Sequence, residues 1–343
     1  MLNTCLRIAT YIFATTAALM ATQAQAVQRT HVSAAFGSDA NTATNCTAAA
    51  PCRFFQAAMT VTDTNGEVIV LDSGGYGAVT ITKSLALIAP TGVYGGISVF
   101  PGANGVTIAT PGVNVVLRGL SINGQVGNGG TGGILMTAGN RLSIENCVIS
   151  NLLNFGIRVS GNTVVQVTDT IIRDNTAFGI LLENGVTATI TRAVVRGASS
   201  IGDGIRAQGT ASEISTTTVN ITDTTLTGNL NGVNVGSNSA NAIVRVSLHD
   251  NRVVSNSNYG LAASSSLGAS VTLSASNNIV SNNGIGIAAF NTSTKVIASG
   301  NTVTHNIGAG LSNGGSVFES AGNNTVRGNI PDVSGVITTV GNI

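Results

Sequence analysis

The sequence has few charged and few aromatic residues. Of its 343 residues, 8% are charged and 4% are aromatic, and tryptophan is absent. Since 43% of the residues are hydrophobic, an intrinsically disordered chain is excluded. The formal net charge of +1 gives no electrostatic basis for binding nucleic acid or an anionic membrane, so we expect neither partner. A uronate-rich polymer would need a local cationic site.

The first 26 residues have the features of a secretory signal peptide. Arg7 supplies a positive charge, a short apolar run follows at residues 8–20, and Ala24-Gln25-Ala26 offers a small-residue cleavage site. The apolar run is too short to span a membrane well, and an uncleaved anchor is the alternative. We therefore expect cleavage near Ala26, a secreted or periplasmic protein, and no membrane span in the mature chain.

Cysteine is also scarce. Cys46 and Cys52 are close in sequence, and the oxidising compartment reached by secretion favours a disulfide between them. Cys147 falls at an inward or corner position of the repeat described next, so we predict a buried free thiol. No second cysteine pair or nearby histidine cluster accompanies the first pair, so we predict no metal site, and no motif indicates a cofactor.

An internal repeat organises the rest of the chain at the ~20–50-residue period of stacked architectures. Each copy has an opening polar residue, an aliphatic residue two places later, a closing residue three places after that, and then a Gly followed by an aliphatic residue. The opening residues are Asn146, Thr170, Arg192, Thr224, Asn251, Asn277, Asn301 and Asn324. The aliphatic residues are Val148, Ile172, Val194, Leu226, Val253, Ile279, Val303 and Val326. The closing residues are Asn151, Asn175, Gly197, Asn229, Asn256, Asn282, Asn306 and Asn329.

Short alternating runs between these residues predict strands with one buried face. Examples occur at residues 142–144, 165–167 and 219–221, where β-branched residues are frequent. No copy contains the longer 3.6-residue pattern of a helical repeat. We predict coils of a parallel β-helix in which Asn residues occupy left-handed corners and bond along the stack. The Gly of each copy is expected at a second corner with positive φ.

The N-terminal part is predicted to cap the solenoid. Residues 54–59 have helical propensity and an apolar face, and a solenoid needs a cover for its apolar end. The predicted organisation of this all-β protein is therefore a signal peptide at 1–26 and a cap containing Cys46 and Cys52 at 27–60. A right-handed parallel β-helix follows at 61–343.

Several motifs carry a resemblance to a known group. They are Asp39-Ala40-Asn41, Cys46-Thr47, Pro51-Cys52-Arg53-Phe54-Phe55-Gln56-Ala57-Ala58, Gly74-Gly75-Tyr76-Gly77-Ala78 and Ile81-Thr82-Lys83-Ser84. This pattern resembles the N-terminal signature of bacterial secreted right-handed parallel β-helix repeat proteins, in the pectin-lyase-like superfamily. The resemblance covers essentially the whole mature chain. It is specific for the fold and weak for an activity.

The resemblance would imply a polysaccharide lyase, hydrolase, esterase or epimerase if a catalytic set were present. Polygalacturonase-type motifs and the clustered acids of pectate-lyase-like calcium sites are absent from the sequence. His249 and Asp250 are neighbours whose side chains we expect on opposite faces of a strand, so no Ser-His-Asp site is predicted. His305 is expected to lie exposed at a corner.

The best remaining cluster follows the repeat Gly. If Ile157, Ile180 and Ile205 point inward, Arg158 and Arg206 point outward. Stacking of the coils then brings Arg158, Glu183 and Arg206 together, with Asp203 at the border. The arginines are candidates for binding sugar carboxylates, and Glu183 or Asp203 for acid or base catalysis. The alternative is a solvated salt-bridge patch. We also expect residues 198–201 or 211–218 to bulge out as loops beside the cluster.

These features predict a secreted β-helix scaffold that binds glycans or cell-surface polymers. The missing catalytic sets and the near-neutral charge favour this interpretation. A polysaccharide-processing enzyme that uses the same cluster is the alternative, and it is favoured by the superfamily resemblance. The sequence does not determine the oligomeric state.

The predicted register can be tested at Ile180. Replacing this inward residue in Ile180→Asp should bury an unpaired charge in the core and lower the free energy of unfolding by several kcal/mol. Thermal unfolding measures the effect. A variant as stable as the wild type would show that the inward and outward positions are assigned wrongly.

Overall fold

The computed structural model describes residues 27–125, 129–198, 202–210, 214–266 and 268–341. In these residues the chain winds into a right-handed parallel β-helix of about nine turns, as the sequence predicts. The predicted signal peptide, residues 1–26, lies outside the described residues. None of the helices in the described part of the chain is long and apolar enough to cross a membrane.

Three parallel sheets run along the solenoid, and successive coils add one strand to each. The first sheet contains β1 (Arg29–Val32), β2 (Gly66–Val70), β5 (Leu85–Ile88), β8 (Asn114–Arg118), β11 (Arg141–Glu145), β14 (Val164–Thr168), β17 (Thr187–Thr191), β20 (Ser215–Thr222), β23 (Ala242–His249), β26 (Ser270–Ser276), β29 (Thr294–Ser299), β32 (Val317–Ser320) and β35 (Thr338–Thr339). The second contains β3 (Gly74–Gly75), β6 (Gly95–Ser98), β9 (Leu120–Asn123), β12 (Val148–Ser150), β15 (Ile171–Arg173), β18 (Val194–Arg196), β21 (Thr225–Thr227), β24 (Arg252–Val254), β27 (Ile279–Ser281), β30 (Thr302–Thr304) and β33 (Thr325–Arg327). The third contains β4 (Val79–Ile81), β7 (Asn104–Ala109), β10 (Gly132–Ala138), β13 (Phe155–Ser160), β16 (Phe178–Glu183), β19 (Asp203–Gly209), β22 (Asn231–Ser237), β25 (Tyr259–Ser265), β28 (Ile285–Phe290), β31 (Leu311–Gly314) and β34 (Val333–Ser334).

The inward and outward positions of the third sheet follow the predicted alternation. Ile157 pairs with Ile180, and Ile180 pairs with Ile205. All three side chains are fully buried in the core. The intervening positions, including Arg158 and Arg206, therefore lie on the outer face of the sheet.

Each coil turns sharply before and after its short second-sheet strand, through one residue with left-handed backbone. The first column of these residues is Gly119, Asn146, Asp169, Arg192, Asp223, Asp250, Asn277 and Gly300, with φ of 50–71°. The second column is Asn151, Asp174, Gly197, Gly228, Ser255, Asn282, His305 and Gly328, with φ of 55–71°. Since glycine, asparagine and aspartate adopt this conformation most readily, they fill most of both columns.

A buried residue follows each left-handed corner, and in the later coils these residues are asparagines that form two ladders. The first ladder is Asn251, Asn278, Asn301 and Asn324, and the second is Asn229, Asn256, Asn283, Asn306 and Asn329. At Asn256, Oδ1 accepts from the backbone N and the Nδ2 of Asn229 at 3.1 and 3.0 Å. Its Nδ2 donates to Asn283 Oδ1 and to the Leu226 carbonyl. The ladders therefore satisfy buried amides and backbone groups of adjacent coils together.

The prediction that one residue both occupies the left-handed corner and bonds along the stack is wrong, because adjacent residues take these two roles. The ladder asparagines do not have positive φ. In some copies the residue predicted from the sequence is the corner residue, one place before the ladder; these residues are Asn146, Arg192, Asn277, Asn151, Gly197 and Asn282. The inward aliphatic residues of those copies are Ile149, Val195 and Val280 rather than Val148, Val194 and Ile279. Asparagine is favoured at both adjacent positions. The corner favours it because it tolerates left-handed backbone, and the ladder favours it because its amide bonds along the stack. Residue type alone therefore does not distinguish the two positions.

The glycine of each repeat has a different role from the one predicted. The residues concerned are Gly156, Gly179, Gly204, Gly232, Gly260 and Gly286, and none has positive φ. A Cβ atom at each would lie 2.4–2.8 Å from the carbonyl oxygen of the equivalent glycine one coil later. Close approach of the stacked backbones therefore requires glycine here, and the expected positive φ is wrong.

The cap contains a 3-10 helix at Asp39–Thr44 and the helix α1 at Phe55–Val61. Phe55 of α1 is buried and packs on Tyr76, with ring centroids 5.3 Å apart. The predicted disulfide between Cys46 and Cys52 is confirmed. Cys147 is a buried free cysteine, also as predicted, and burial raises the pKa of its thiol to about 11.

Asp72 joins the cap to the first coils. Its carboxylate accepts hydrogen bonds from Ser33 Oγ and Tyr76 Oη at 2.5 Å each, and from the backbone N–H groups of Ala34 and Ala35. Burial by itself would raise the pKa of this carboxyl. The hydrogen bonds outweigh burial and lower the pKa from 3.8 to about 2.

The ladders should be sensitive to loss of one amide. Asn256→Ala leaves groups on Asn229, Asn283 and Leu226 without their partner, at about 1–3 kcal/mol for each buried unpaired group. We expect the free energy of unfolding, measured by denaturant titration, to fall by several kcal/mol, with a lower denaturant midpoint. The matched control is Asn220→Ala, because Asn220 is an exposed residue of β20. Equal midpoints for both variants would contradict a structural role for the ladder.

The contribution of Asp72 should depend on pH. Since its folded-state pKa is lowered, the ionised carboxylate stabilises the folded protein above the unfolded value of 3.8. This stabilisation disappears as the pH falls toward about 2. The difference in unfolding free energy between the wild type and Asp72→Asn should therefore be constant near neutral pH and shrink in acid. A difference that does not change between neutral pH and acid would contradict the assigned hydrogen bonds.

Candidate functional site

The four candidate residues of the sequence analysis meet on the outer face of the third sheet. Arg158 lies on β13, Glu183 ends β16, and Asp203 and Arg206 lie on β19. The register places Leu181 between Arg158 and Arg206 in one column, and Glu183 beside Gln208 in another. Along each strand, the residues of these two columns alternate with inward residues of the core. The side chains of both columns therefore lie on the outer face of the sheet.

Glu183 occupies the centre of one half of the cluster. Its carboxylate is nearly buried, with 4% of the residue exposed. Glu183 Oε2 lies 2.8 Å from Arg158 Nε, and Gln208 Nε2 donates to Glu183 Oε1 at 2.6 Å. Both carboxylate oxygens therefore have a donor from an adjacent coil.

Asp203 occupies the other half in a similar way. Asp203 Oδ2 accepts from Arg206 at 3.0 Å, and Asp203 Oδ1 accepts from Asn231 Nδ2 at 2.7 Å. Asn234 Nδ2 lies within 3.3 Å of both oxygens. Arg206 Nε also donates to Gln208 Oε1 at 2.6 Å, which joins the two halves. We call the connected side chains the polar network: Arg158, Glu183, Asp203, Arg206, Gln208, Asn231 and Asn234.

The polar network is balanced in charge and fully hydrogen-bonded at its carboxylates. Each nearly buried acid has one arginine partner, and the remaining donors are neutral amides. The arginine side chains remain 42% and 32% exposed at Arg158 and Arg206. The network can therefore offer guanidinium and amide groups to a ligand, whereas a carboxylate must first lose a protein partner before it transfers a proton.

Aromatic rings flank the polar network along the same face. Phe155 and Phe178 precede Asp203 in one column of the register. On the other side, Tyr259 and Phe290 make an edge contact with ring centroids 5.6 Å apart. The Tyr259 backbone N–H donates to Asn231 Oδ1 at 3.1 Å, which ties the aromatic side to the network.

A small cleft adjoins the polar network. Its volume is about 150 Å³, and it is lined by Arg206, Gln208, Gly236, Ser237, Asn238, Ser264 and Ser266. A larger recess of about 540 Å³ lies at a corner beside Arg118 and Pro90, away from these residues. Among the described residues, no group of three or more His, Cys, Asp or Glu side chains is arranged to hold a metal ion.

The sequence located the acids and arginines but not the full extent of the network. The roles of Asn231 and Asn234 were missed, although the register that stacks Arg206 also places Asn234 beside it. The loop expected at residues 211–218 is wrong in part, because Ser215–Thr222 forms β20 and pairs with β23. Residues 199–201 and 211–213 of the two expected loops lie outside the described residues.

The prediction for His249 and Asp250 is also wrong. Their side chains meet, with His249 Nε2 2.9 Å from Asp250 Oδ2. Asp250 has φ of 56°, so the strand alternation ends at this residue and its side chain turns back toward His249. The other nitrogen, His249 Nδ1, lies 3.0 Å from Ser276 Oγ of the next coil. His305 is exposed at a left-handed corner, as predicted.

Comparison with known proteins supports the fold. Residues 58–218 match the family described as the right-handed β-helix region. No curated protein sequence matches the chain. Among solved structures, polygalacturonase from Erwinia carotovora ssp. carotovora has a TM-score of 0.52 at 12% identity, over 92% of this chain and 97% of the other.

Two further structures are similar in fold. A complex of XylC with xylose has a TM-score of 0.56 at 10% identity, over 83% of this chain and 69% of the other. The A-module of an Azotobacter vinelandii mannuronan C-5 epimerase has a TM-score of 0.50 at 15% identity, over 80% and 84%. Since every identity is low, these similarities show the fold alone. The chain therefore has the fold of a right-handed parallel β-helix, in agreement with the family that residues 58–218 match.

Proposed function

We propose that the protein is a secreted β-helix scaffold that binds a polysaccharide or cell-surface glycan on the outer face of the third sheet. The observation that carries this proposal is the polar network, whose two nearly buried acids hold two half-exposed arginines in place. A ligand that meets this face finds side chains whose positions are already fixed, so less conformational entropy is lost on binding.

The chemistry of the face suits sugars. Hydroxyl groups need both donors and acceptors, and the guanidinium groups of Arg158 and Arg206 and the amides of Gln208 and Asn234 supply them. Aromatic rings with one exposed face can pack against the apolar side of a pyranose, and Tyr259 and Phe178 are partly exposed on either side of the network. The serine-rich cleft beside Arg206 adds further hydroxyl donors.

A uronate-containing glycan is the favoured ligand class. Because the formal net charge is only +1, the chain as a whole gives no long-range attraction for a polyanion. Recognition of a carboxylate must therefore be local. Arg206 uses Nε and one terminal nitrogen for Gln208 and Asp203. These two contacts leave Nη2 to donate to a carboxylate, and charge-assisted hydrogen bonds of this kind are stronger than neutral ones.

A polysaccharide-processing enzyme is the second candidate, and it rests on Glu183 and Asp203 sharing one face. For catalysis, one of them would have to exchange its arginine or amide partner for the substrate. The polygalacturonase and the mannuronan epimerase of similar fold are named for polysaccharide substrates. Their identity to this chain is too low for that chemistry to be transferred.

Residues 27–343 with the disulfide formed should be tested for binding and turnover on one panel. The panel contains xylan and β-glucan as neutral polymers, and polygalacturonate and alginate as acidic ones. Binding is measured by retardation in polysaccharide-containing gels and by pull-down on insoluble polymers. Turnover is followed through reducing ends and unsaturated uronate absorbance. We expect retardation by an acidic polymer and no product.

Arg206→Ala should weaken this binding by about 10–100-fold, the equivalent of one lost charge-assisted interaction. The fold should tolerate the change, since Asp203 keeps amide donors from Asn231 and Asn234. Arg192→Ala is the matched control, because Arg192 pairs with Asp169 at a distant corner and should not affect binding. Product formation that is lost in Glu183→Gln would establish the enzyme instead. Absence of both binding and product would reject both candidates.

A further inference from the structure

A second cluster of reactive side chains lies at a corner of the solenoid, on the first sheet rather than the third. His249 is the last residue of β23, and its register partner in the next coil is Ser276, the last residue of β26. Asp250 follows His249 at the left-handed corner. The side chains of His249 and Asp250 are 50% and 49% exposed, and Ser276 is partly exposed. A small molecule can therefore reach all three.

Asp250 determines which way the hydrogen bonds run. An ionised carboxylate only accepts, so the contact of 2.9 Å requires a proton on His249 Nε2. In the neutral imidazole, Nδ1 then carries the lone pair and accepts the proton of Ser276 Oγ, which lies 3.0 Å away. The alternative acceptor for this hydroxyl is the Leu248 carbonyl, at a longer 3.4 Å. The serine proton is therefore directed at a base that an acid holds in position.

We propose that Ser276 is a nucleophile for acyl transfer, with His249 as its general base and Asp250 as the residue that orients the imidazole. Ser276 Oγ attacks the ester carbonyl carbon and forms a C–O bond, while its proton moves to His249 Nδ1. Asp250 stabilises the resulting imidazolium. The ester C–O bond then breaks, and the alcohol leaves with the proton from Nδ1. Water, deprotonated by Nδ1, hydrolyses the acyl-serine to a carboxylic acid and restores the hydroxyl.

The surroundings define the substrate class and the expected rate. The backbone N–H of Asn277 donates to the Ser299 carbonyl at 3.1 Å and is not available to an oxyanion. The Asn277 side chain is exposed, and its Oδ1 lies against Gly300 of the next coil. A site without a preorganised pair of donors stabilises an oxyanion weakly. The open corner therefore favours slow cleavage of short-chain esters, such as acetyl esters of accessible alcohols.

A fluorophosphonate probe tests the nucleophile directly, because it forms a stable covalent bond with an activated serine oxygen. We expect the wild-type protein to be labelled, with the adduct on the peptide that contains Ser276 in mass spectrometry. Labelling should be lost in Ser276→Ala and should slow by at least about tenfold in His249→Asn. Asp250→Asn should slow it by about tenfold or more, since the imidazole loses its orientation.

Ser274→Ala is the matched control. Ser274 lies two residues earlier on the same outer face of β26 and has no histidine partner, so labelling should be unchanged. Hydrolysis of p-nitrophenyl acetate gives a second measurement, and Ser276→Ala should lower its rate by at least about tenfold. The proposal is overturned if the wild type is not labelled, if the adduct lies elsewhere, or if His249→Asn is labelled at the wild-type rate.

Discussion

The later coils of the solenoid depend on the hydrogen bonds that connect the buried asparagines of successive coils. A parallel stack brings equivalent residues about 4.8 Å apart, close enough for one amide to bond the next. The Asn256 side chain accepts hydrogen bonds from the backbone N–H and the side-chain amide of Asn229, and it donates to Asn283 Oδ1 and to the Leu226 carbonyl. An unpaired amide in the core would be costly, so the ladder also opposes any slip of one coil against the next. The second ladder ends where Asn329 donates to Asp332 Oδ1, an acid in place of the next amide.

The same register creates the surface chemistry. Each coil contributes only a few outward side chains to a face, so any larger site must be assembled from several coils. The polar network is built in this way, from Arg158 on β13 to Asn234 on β22. Its acids are nearly buried and yet compatible with the fold, because every carboxylate oxygen has a donor from its own or a neighbouring coil. This arrangement favours ligand binding by the arginines over proton transfer by a carboxylate, because each carboxylate is already hydrogen-bonded within the protein.

The corners contribute chemistry that the flat sheets do not. In a strand, adjacent side chains point to opposite faces, and this rule separates most neighbouring pairs. At a left-handed corner the rule ends, so His249 and Asp250 lie together and Ser276 of the next coil completes the cluster. The repeat glycines of the third sheet cannot be explained by their own backbone conformation, because none has positive φ. They are required because a carbonyl oxygen of the next coil leaves no room for a Cβ atom.

The solenoid, the capping helix, the disulfide and the inward positions of the third sheet could all be predicted from the sequence. Alternation is a property of single strands, and the repeat recurs often enough to identify the solenoid. The sequence also brought Arg158, Glu183, Asp203 and Arg206 together, since a parallel stack preserves spacing from coil to coil. Only the tertiary structure separated the corner asparagines from the ladder asparagines and explained the glycines. It alone added Asn231 to the network and Ser276 to His249 and Asp250. These features depend on contacts between coils and on the backbone turn at each corner, where one residue of shift changes which side a group faces.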